Sequence, residues 1–321
     1  MSFYKIAGFW QRIVASAIDF IFLGIIGYIL GLIFKTDFIL LGNEGVFIGI
    51  LISTLYFSFL NSGIGGGKTL GKSIMKLKVV DKNDNLISFE KSFLRALIII
   101  VPNYLIGYEI PYALEWPFLQ IIKEEILLFV LYGIIIFYIL NASNRQSFHD
   151  ILLGTFVVSD CKEEVQVERA SVKKYVYYTY GAIIVAVFLF QFYFEIGNDN
   201  YSRVSNLRDV YSELKKNDDI SNFSIERKSG LAEILTHKKE SFVCKINVNQ
   251  PLIYERVASD SENSPMVKNV VRSIINKSYG ISYVGSIVIQ INYGYNIGIA
   301  SSNKSIKLVK SPDEWMKLIN R

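Results

Sequence analysis

The chain has 321 residues, is 51% hydrophobic and 20% charged, and carries a net charge of +5. Its two histidines, His149 and His237, exclude a His-rich metal centre, and its two cysteines, Cys161 and Cys244, have no metal-ligand company. The averages hide a division. Residues 1 to about 194 hold several apolar runs of the length that crosses a bilayer, and residues 195–321 read as an ordinary soluble domain.

In chain order, the first apolar segment runs from Ile13 to Phe34, too long for a signal peptide and carrying Asp19. The second is Val46 to about Leu60, and the third is Phe93 to about Ile110, interrupted by Pro102 and Asn103. The fourth is Ile126 to Leu140, and the fifth is Val176 to Phe194, preceded by Lys173 and Lys174. Basic residues in short loops mark the cytoplasmic side. Lys5 and Arg12 precede the first segment, Lys68 to Arg95 supply seven cations between the second and third, and Arg145, Lys162, Arg169, Lys173 and Lys174 lie between the fourth and fifth. Five crossings with the N-terminus inside satisfy every loop. Four crossings, with the third segment re-entrant, put the basic 142–174 loop outside.

The expected architecture is an α-helical polytopic membrane protein with about five transmembrane helices and a small C-terminal α+β soluble domain. Residues 1–160 form the membrane domain, 161–197 a linker and fifth helix, and 198–321 an extracytoplasmic domain. Cys161 and Cys244 then lie on opposite sides of the membrane, which disfavours a disulfide between them.

Arg12 and Asp19 are seven residues apart, so they share a helix face with about 10 Å between them along the axis. Arg12 can snorkel to the headgroups, whereas Asp19 must be paired, hydrated or protonated. Ala15 and Ser16 between them, and Gly27-xxx-Gly31 beyond, are small enough to admit a neighbouring helix closely. Asp19 is read either as a polar clamp between helices or as a site for a cation or proton.

"GGKTLGKS", Gly66 to Ser73, fits the phosphate-loop pattern, but no strand precedes it and no long helix follows. A basic segment at the inner membrane surface, its lysines facing anionic lipid, is the alternative. "TLGKSIMKLKVVD" (Thr69 to Asp81) echoes "SFHDILLGTFVVSD" (Ser147 to Asp160). Aligning Val79-Val80 with Val157-Val158 sets Lys72 opposite Asp150, and Arg12 opens the first helix much as Arg95 opens the third. This implies a two-fold internal repeat of helix, helix, interfacial helix and strand, with the two strands able to pair into a ribbon. Asp150 is expected to meet Lys72, Arg12 or Arg145. His149, its neighbour, is expected at the surface rather than as a proton carrier.

Arg12, Asp19, "GKTLGKSIMKLKVVD", "SFLRAL" and "NRQSFHDILLGTFVV" together resemble the RDD family of bacterial membrane proteins over residues 8 to 160. The family's arginine and aspartates map onto Arg12, Asp19 and Asp150. The resemblance implies an inner-membrane protein, transporter-like, with transport of unidentified ligands suggested for the family and cation–proton exchange proposed for some members. The site it implies is Arg12, Asp19 and Asp150, with Lys72, Arg95, Arg145 and His149 as supporting charges. The helix at 176–194 and the domain after it lie outside the shared region.

In that domain "DVYSELKK" reads as helix, "FSIERK" and "FVCKINV" as strands, and Val267 to Gly280 as an amphipathic helix with a glycine at its end. Ile281 to Tyr293 reads as one long strand or two, and "SPDEWMKLI" as a terminal helix capped by Ser311. His237, among lysines, is expected in a solvated loop. The domain's mixed charges do not indicate nucleic acid. No catalytic arrangement, cofactor or metal site is expected. The expected partners are the lipid bilayer, a protein that binds the outer domain, and a second copy of the chain. Transport of a small ligand or of cations and protons is weighed against a non-transporting anchor or assembly factor whose outer domain binds a partner. An enzyme acting on lipid at the inner surface is the least supported reading.

Overall fold

The computed structural model of the chain describes residues 3–106, 108, 117–141, 144–160, 164–165, 172–197, 210, 213–214, 220–228, 241–277 and 284–320. Helix α1 is Phe9–Ile33, opened where the Gly8 amide donates to Gln11 Oε1 at 3.0 Å. One stripe of it is buried at four-residue intervals: Ala15, Asp19, Leu23, Gly27 and Gly31. The other faces leave Ile21, Tyr28, Leu32 and Ile33 exposed, the pattern of a helix whose back is against lipid. Ser16 is exposed, so the small-residue stripe runs through Ala15 alone at that level.

Short helix α2, Lys35–Leu41, turns through a 3-10 segment into α3, Val46–Asn61. Phe9–Ile33 and Lys35–Asn61 are long and apolar enough to cross a membrane, and Lys174–Phe190 is a shorter apolar helix. α3 buries a row of polar side chains, Ser53, Thr54, Ser58 and Asn61. Next come α4, Leu70–Ile74, and strand β2, Leu77–Asp81, the two-residue strand β1, Phe3–Tyr4, having preceded α1. Helix α5, Phe89–Leu105, starts at Ser88, whose Oγ accepts from the Lys91 amide, and continues through Pro102, with Asn103 Nδ2 donating to the Ile99 carbonyl one turn back. Helix α6, Pro117–Leu140, is followed by α7, Phe148–Leu153, and β3, Thr155–Ser159. Strand β4, Glu164–Val165, pairs antiparallel with β1, and helix α8 is Lys174–Gly197.

The two echoed segments do form a ribbon. β2 and β3 pair antiparallel, Leu77 opposite Ser159, Val79 opposite Val157 and Asp81 opposite Thr155. Adding the repeat offset that takes Val79 to Val157 maps this set of pairs onto itself, so a pseudo-two-fold axis passes through the Val79–Val157 pair. The N-terminal segment covers the ribbon: the Ala7 amide donates to Val157, and the Ser159 amide donates to Lys5.

Among the described residues of the C-terminal part, β5 (Ile220–Lys228), β6 (Ser241–Val248), β7 (Ser286–Asn296) and β8 (Ser301–Lys310) form one sheet in that order, β6 and β7 parallel and the other pairs antiparallel. Helices α9 (Pro251–Ser259) and α10 (Pro265–Lys277) make the crossover, and α11 is Pro312–Ile319. β7 extends beyond the Tyr293 end expected from sequence, and α9 and β8 add to the expected elements. The strand runs on to Asn296 because it is one arm of a long β7–β8 hairpin. β8 is a polar edge strand, exposed along most of its length, so it lacks the alternating apolar signal. The core holds Trp315, Phe242, Ile246, Ile274 and Ile289, with Trp315 Nε1 donating to the Ile287 carbonyl at 3.0 Å. Ser311 caps α11 as expected, and Glu314 completes a capping box with it. Most of "DVYSELKK", with His237, Cys161 and Gly280, lies outside the described residues. Cys244 is a buried free thiol, its pKa raised by burial to about 12.

The C-terminal sheet and the helices meet through the tip of the β7–β8 hairpin. Tyr295, Ile297 and Ile299 pack in one apolar cluster with Leu23 of α1 and Phe38 and Ile39 of α2. The seat is cut by glycines: a Cβ on Gly31 would lie 1.8 Å from the Tyr295 hydroxyl, and one on Gly49 would lie 2.2 Å from the Ile297 carbonyl oxygen. Gly27 and Gly31 thus admit a hairpin, where the spacing suggested a helix.

Candidate functional site

At the other end of α1, two carboxylates organise the polar interior. Asp19 is 1% exposed. Its Oδ1 accepts from the Tyr56 hydroxyl at 2.7 Å and from the Gly71 amide at 2.8 Å, and its Oδ2 accepts from the Thr69 hydroxyl at 2.6 Å. Three donors leave this carboxylate well solvated by protein. The geometry follows from local sequence. Thr69 is the N-cap of α4, its Oγ1 accepting from the Lys72 amide. Gly71 lets α4 lie backbone to backbone against α1, since a Cβ there would meet the Ala15 carbonyl oxygen at 1.9 Å.

This also disposes of the phosphate-loop pattern. α4 has five residues, its Gly71 amide is committed to Asp19, and the half-buried Lys72 turns its amine to Asn61. Lys72 Nζ donates to Asn61 Oδ1 at 2.8 Å and stands 5.8 Å from the centre of the Phe57 ring. The bond to Asn61 corrects the expectation that this lysine faces anionic lipid. Burial draws its pKa down to about 7, and repulsion from Arg95 adds to the shift.

The second carboxylate is Asp150, on α7, also 1% exposed. Arg95 Nε donates to Oδ1 at 3.0 Å and Thr155 Oγ1 donates to the same oxygen at 2.7 Å, while Arg12 Nη1 stands 3.8 Å from Oδ2. Burial alone would raise this carboxyl's pKa. Arg95, His149 and Arg12, with the Thr155 bond, outweigh it and hold the group below its ordinary range. Of the three expected partners, Arg12 meets Asp150. Lys72 is held by Asn61, and Arg145 contributes its carbonyl to Arg12. The main partner is Arg95.

His149 is buried, contrary to the surface placement expected for it. A six-residue helix seated on Arg95 can turn two successive side chains toward one guanidinium, Asp150 to Nε and His149 Nε2 to Nη2 at 3.2 Å. Arginine only donates, so His149 Nε2 is the acceptor and Nδ1 carries the proton. Burial, reinforced by the nearby cations, lowers its pKa to about 3 and keeps it neutral. Arg12 does not pair with Asp19. It ties the start of α1 to the second repeat, Nη1 donating to the Arg145 carbonyl at 2.8 Å and Nη2 to the Val157 carbonyl at 3.1 Å, 5.2 Å above the Tyr138 ring. Arg145 takes a positive φ of 47° to present that carbonyl. Among the described residues, Arg12 Nε, Asn141 Nδ2 and His149 Nδ1 are buried polar atoms with no hydrogen-bond partner.

The sequence reading thus named both carboxylates and both arginines but missed Tyr56, Thr69, Asn61 and Thr155. The signal for Thr69 was its place before Leu70 as an N-cap. The signal for the others was a row of hydroxyls and amides inside an apolar segment. Above Asp19 the row continues with the Ser53 hydroxyl, 2.9 Å from the Tyr104 hydroxyl of α5.

Residues 6–154 match the model of the RDD family, a membrane family, which bears out the resemblance read from the motifs. The match spans α1 to α7, and α8 and the C-terminal sheet lie beyond it. No curated protein and no solved structure matches the chain.

Proposed function

We propose that this RDD-family membrane protein moves a monovalent cation against protons, with Asp19 as the acid that alternates between them. The observation that carries the reading is the oxygen cluster at Asp19: a buried carboxylate with the Tyr56 and Thr69 hydroxyls on its two oxygens. Hydroxyls that donate to an empty carboxylate can turn their lone pairs toward a cation when one enters. An acid buried among spanning helices is by default a functional group. The row from Ser53 and Tyr104 through Tyr56 to Asp19, then Lys72 and Asn61, supplies a polar lining along α3. Lys72 is the second titratable group of the site. Arg12, Arg95, Asp150 and His149 form the frame that fixes the ribbon to α1 and α5. We assign the chain no enzymatic step and no cofactor.

The same proposal places five crossings in the bacterial inner membrane, with the N-terminus and ribbon cytoplasmic and residues 198–321 outside. What supports it is the loop charge, together with the length of α1. Arg12 and the hairpin contact at Gly31 are nineteen residues apart, or about 28 Å of helix, close to a hydrocarbon thickness of about 30 Å.

A second reading draws on the seated hairpin. Helices cut to receive part of the C-terminal domain also suit an anchor that presents this domain to a partner.

The two are separated by cation-driven proton flux in proteoliposomes, wild type beside Asp19→Asn, with elution profile as the folding control. The transport reading expects flux that disappears with the carboxylate in a normally eluting protein. Absence of flux in the wild type under Na⁺, K⁺ and Li⁺ gradients overturns it and leaves the anchor.

A further inference from the structure

The hairpin tip does more than touch the helices. Ile299 presents its carbonyl 3.8 Å from where a Cβ on Gly24 would be, nine residues before the end of α1, or about 14 Å along the helix. The tip therefore reaches roughly mid-depth of a spanning α1. Non-helical backbone is tolerated at such depth only when its polar groups are satisfied. Here three amides are satisfied within the tip: the Ile297 amide donates to Ala300, the Ile299 amide donates to Ile297, and the Gly298 amide donates to Asn296 Oδ1. Among the described residues no hydrogen bond or ion pair joins residues 295–300 to the helices. The contact is one of shape and apolar burial, with Ile297 fully buried. A segment held this way can leave its seat without breaking a hydrogen bond to the helices.

What lies beneath it matters. Gly298, at φ 79°, sits so close to α5 that a Cβ there would be 2.4 Å from the Tyr104 ring. The Tyr104 hydroxyl in turn bonds Ser53, the last member of the polar row. The tip, Tyr104 and Ser53 thus touch in series, and Ser53 lies about one turn of α3 from Tyr56, which bonds Asp19.

We propose that residues 295–300 are a reversible plug, latched on Tyr104, that closes the polar row from the side bearing the C-terminal domain. Withdrawal of the tip uncovers Ser53 and opens the row to solvent. The plug rests on α1 spanning the bilayer, and its link to transport rests on the reading of Asp19 above.

The test uses the full chain in membrane vesicles, with Cys161→Ala and Cys244→Ala as background and Ser53→Cys as the reporter. A charged, membrane-impermeant thiol reagent is added to the face bearing the C-terminal domain. In one variant residues 294–303 are replaced by an Asn-Gly turn, which leaves the pairs from Ile287–Lys310 to Tyr293–Lys304 in place. In a second, Gly49→Leu fills the seat while the hairpin keeps its length. The introduced thiol is expected to be protected behind the native hairpin and to react at least several-fold faster in both variants. Equal rates with native and shortened hairpins, in protein that elutes normally, overturn the plug. Should the shortened variant not fold, an unchanged rate in Gly49→Leu overturns it equally. Faster labelling of the reporter, with no cation flux in wild-type proteoliposomes, leaves the plug standing and removes the transport reading alone.

Discussion

Asp150→Ala tests the buried frame most severely. The carboxylate is the counter-charge for Arg95, 3.0 Å away, and Arg12, 3.8 Å away, and these side chains are only 6% and 14% exposed. Desolvation has already been incurred for both guanidiniums, so removing the acid leaves two buried cations and an unpaired Thr155 hydroxyl. Breaking a buried pair in this way costs about 3–5 kcal/mol, and 3 kcal/mol is a roughly hundredfold shift in the folding equilibrium. The assay is reversible SDS titration of the protein in mild-detergent micelles, followed by circular dichroism. Asp150→Ala is expected to lose most of the folded fraction under conditions that hold the wild type. The double variant Arg95→Met with Asp150→Leu should recover part of the loss, since it removes one of the two stranded charges and leaves Arg12, which keeps its bonds to the Arg145 and Val157 carbonyls. A shift below about 1 kcal/mol for Asp150→Ala, the size of an exposed pair, would refute the claim that this cluster holds the fold. The pH dependence has a definite sign. A carboxyl held below its ordinary value contributes stability above about pH 3.9 that is lost as the pH falls through its folded pKa.

Three further outcomes follow from other sites. Lys72 has a folded pKa drawn to about 7, so from there to about pH 10.4 the unfolded chain binds a proton that the folded one does not. Stability should therefore rise with pH across that window by about 1.4 kcal/mol per unit, a slope that Lys72→Met removes in the same titration. Val79→Asp puts a charge at the fully buried centre of the ribbon and should cost several kcal/mol (about 3 or more), read as loss of the monodisperse elution peak. Trp315→Ala empties the largest fully buried site of the C-terminal core and should cost about 3–5 kcal/mol, lowering the thermal midpoint of the sheet signal in circular dichroism.

How much of this was legible beforehand varies with the kind of contact. The helices, the β2–β3 ribbon and the Ser311 cap came from periodicity and local chemistry, which a sequence displays directly. Arg12, Asp19 and Asp150 stood out because charge inside an apolar stretch demands a partner. Which partner it finds is a matter of packing. Lys72 and His149 were expected at surfaces, where such residues usually lie, because nothing in "LGKS" or "SFHD" reveals that α4 and α7 fold inward onto Asn61 and Arg95. The glycines of α1 announced a close approach but not its kind. The approaching element is more than two hundred residues away, in a hairpin whose second strand is too polar to read as a strand at all.

Equilibrium binding decides whether the Asp19 oxygens hold the proposed monovalent cation. Radiolabelled Na⁺ or Rb⁺ is titrated onto the purified full chain by scintillation proximity, at several pH values, beside Asp19→Asn. Saturable binding that weakens as the pH falls and vanishes in the variant is the predicted result. No saturable binding of either ion, or equal binding in wild type and variant, would contradict it and return Asp19 to the role of a clamp between α1, α3 and α4.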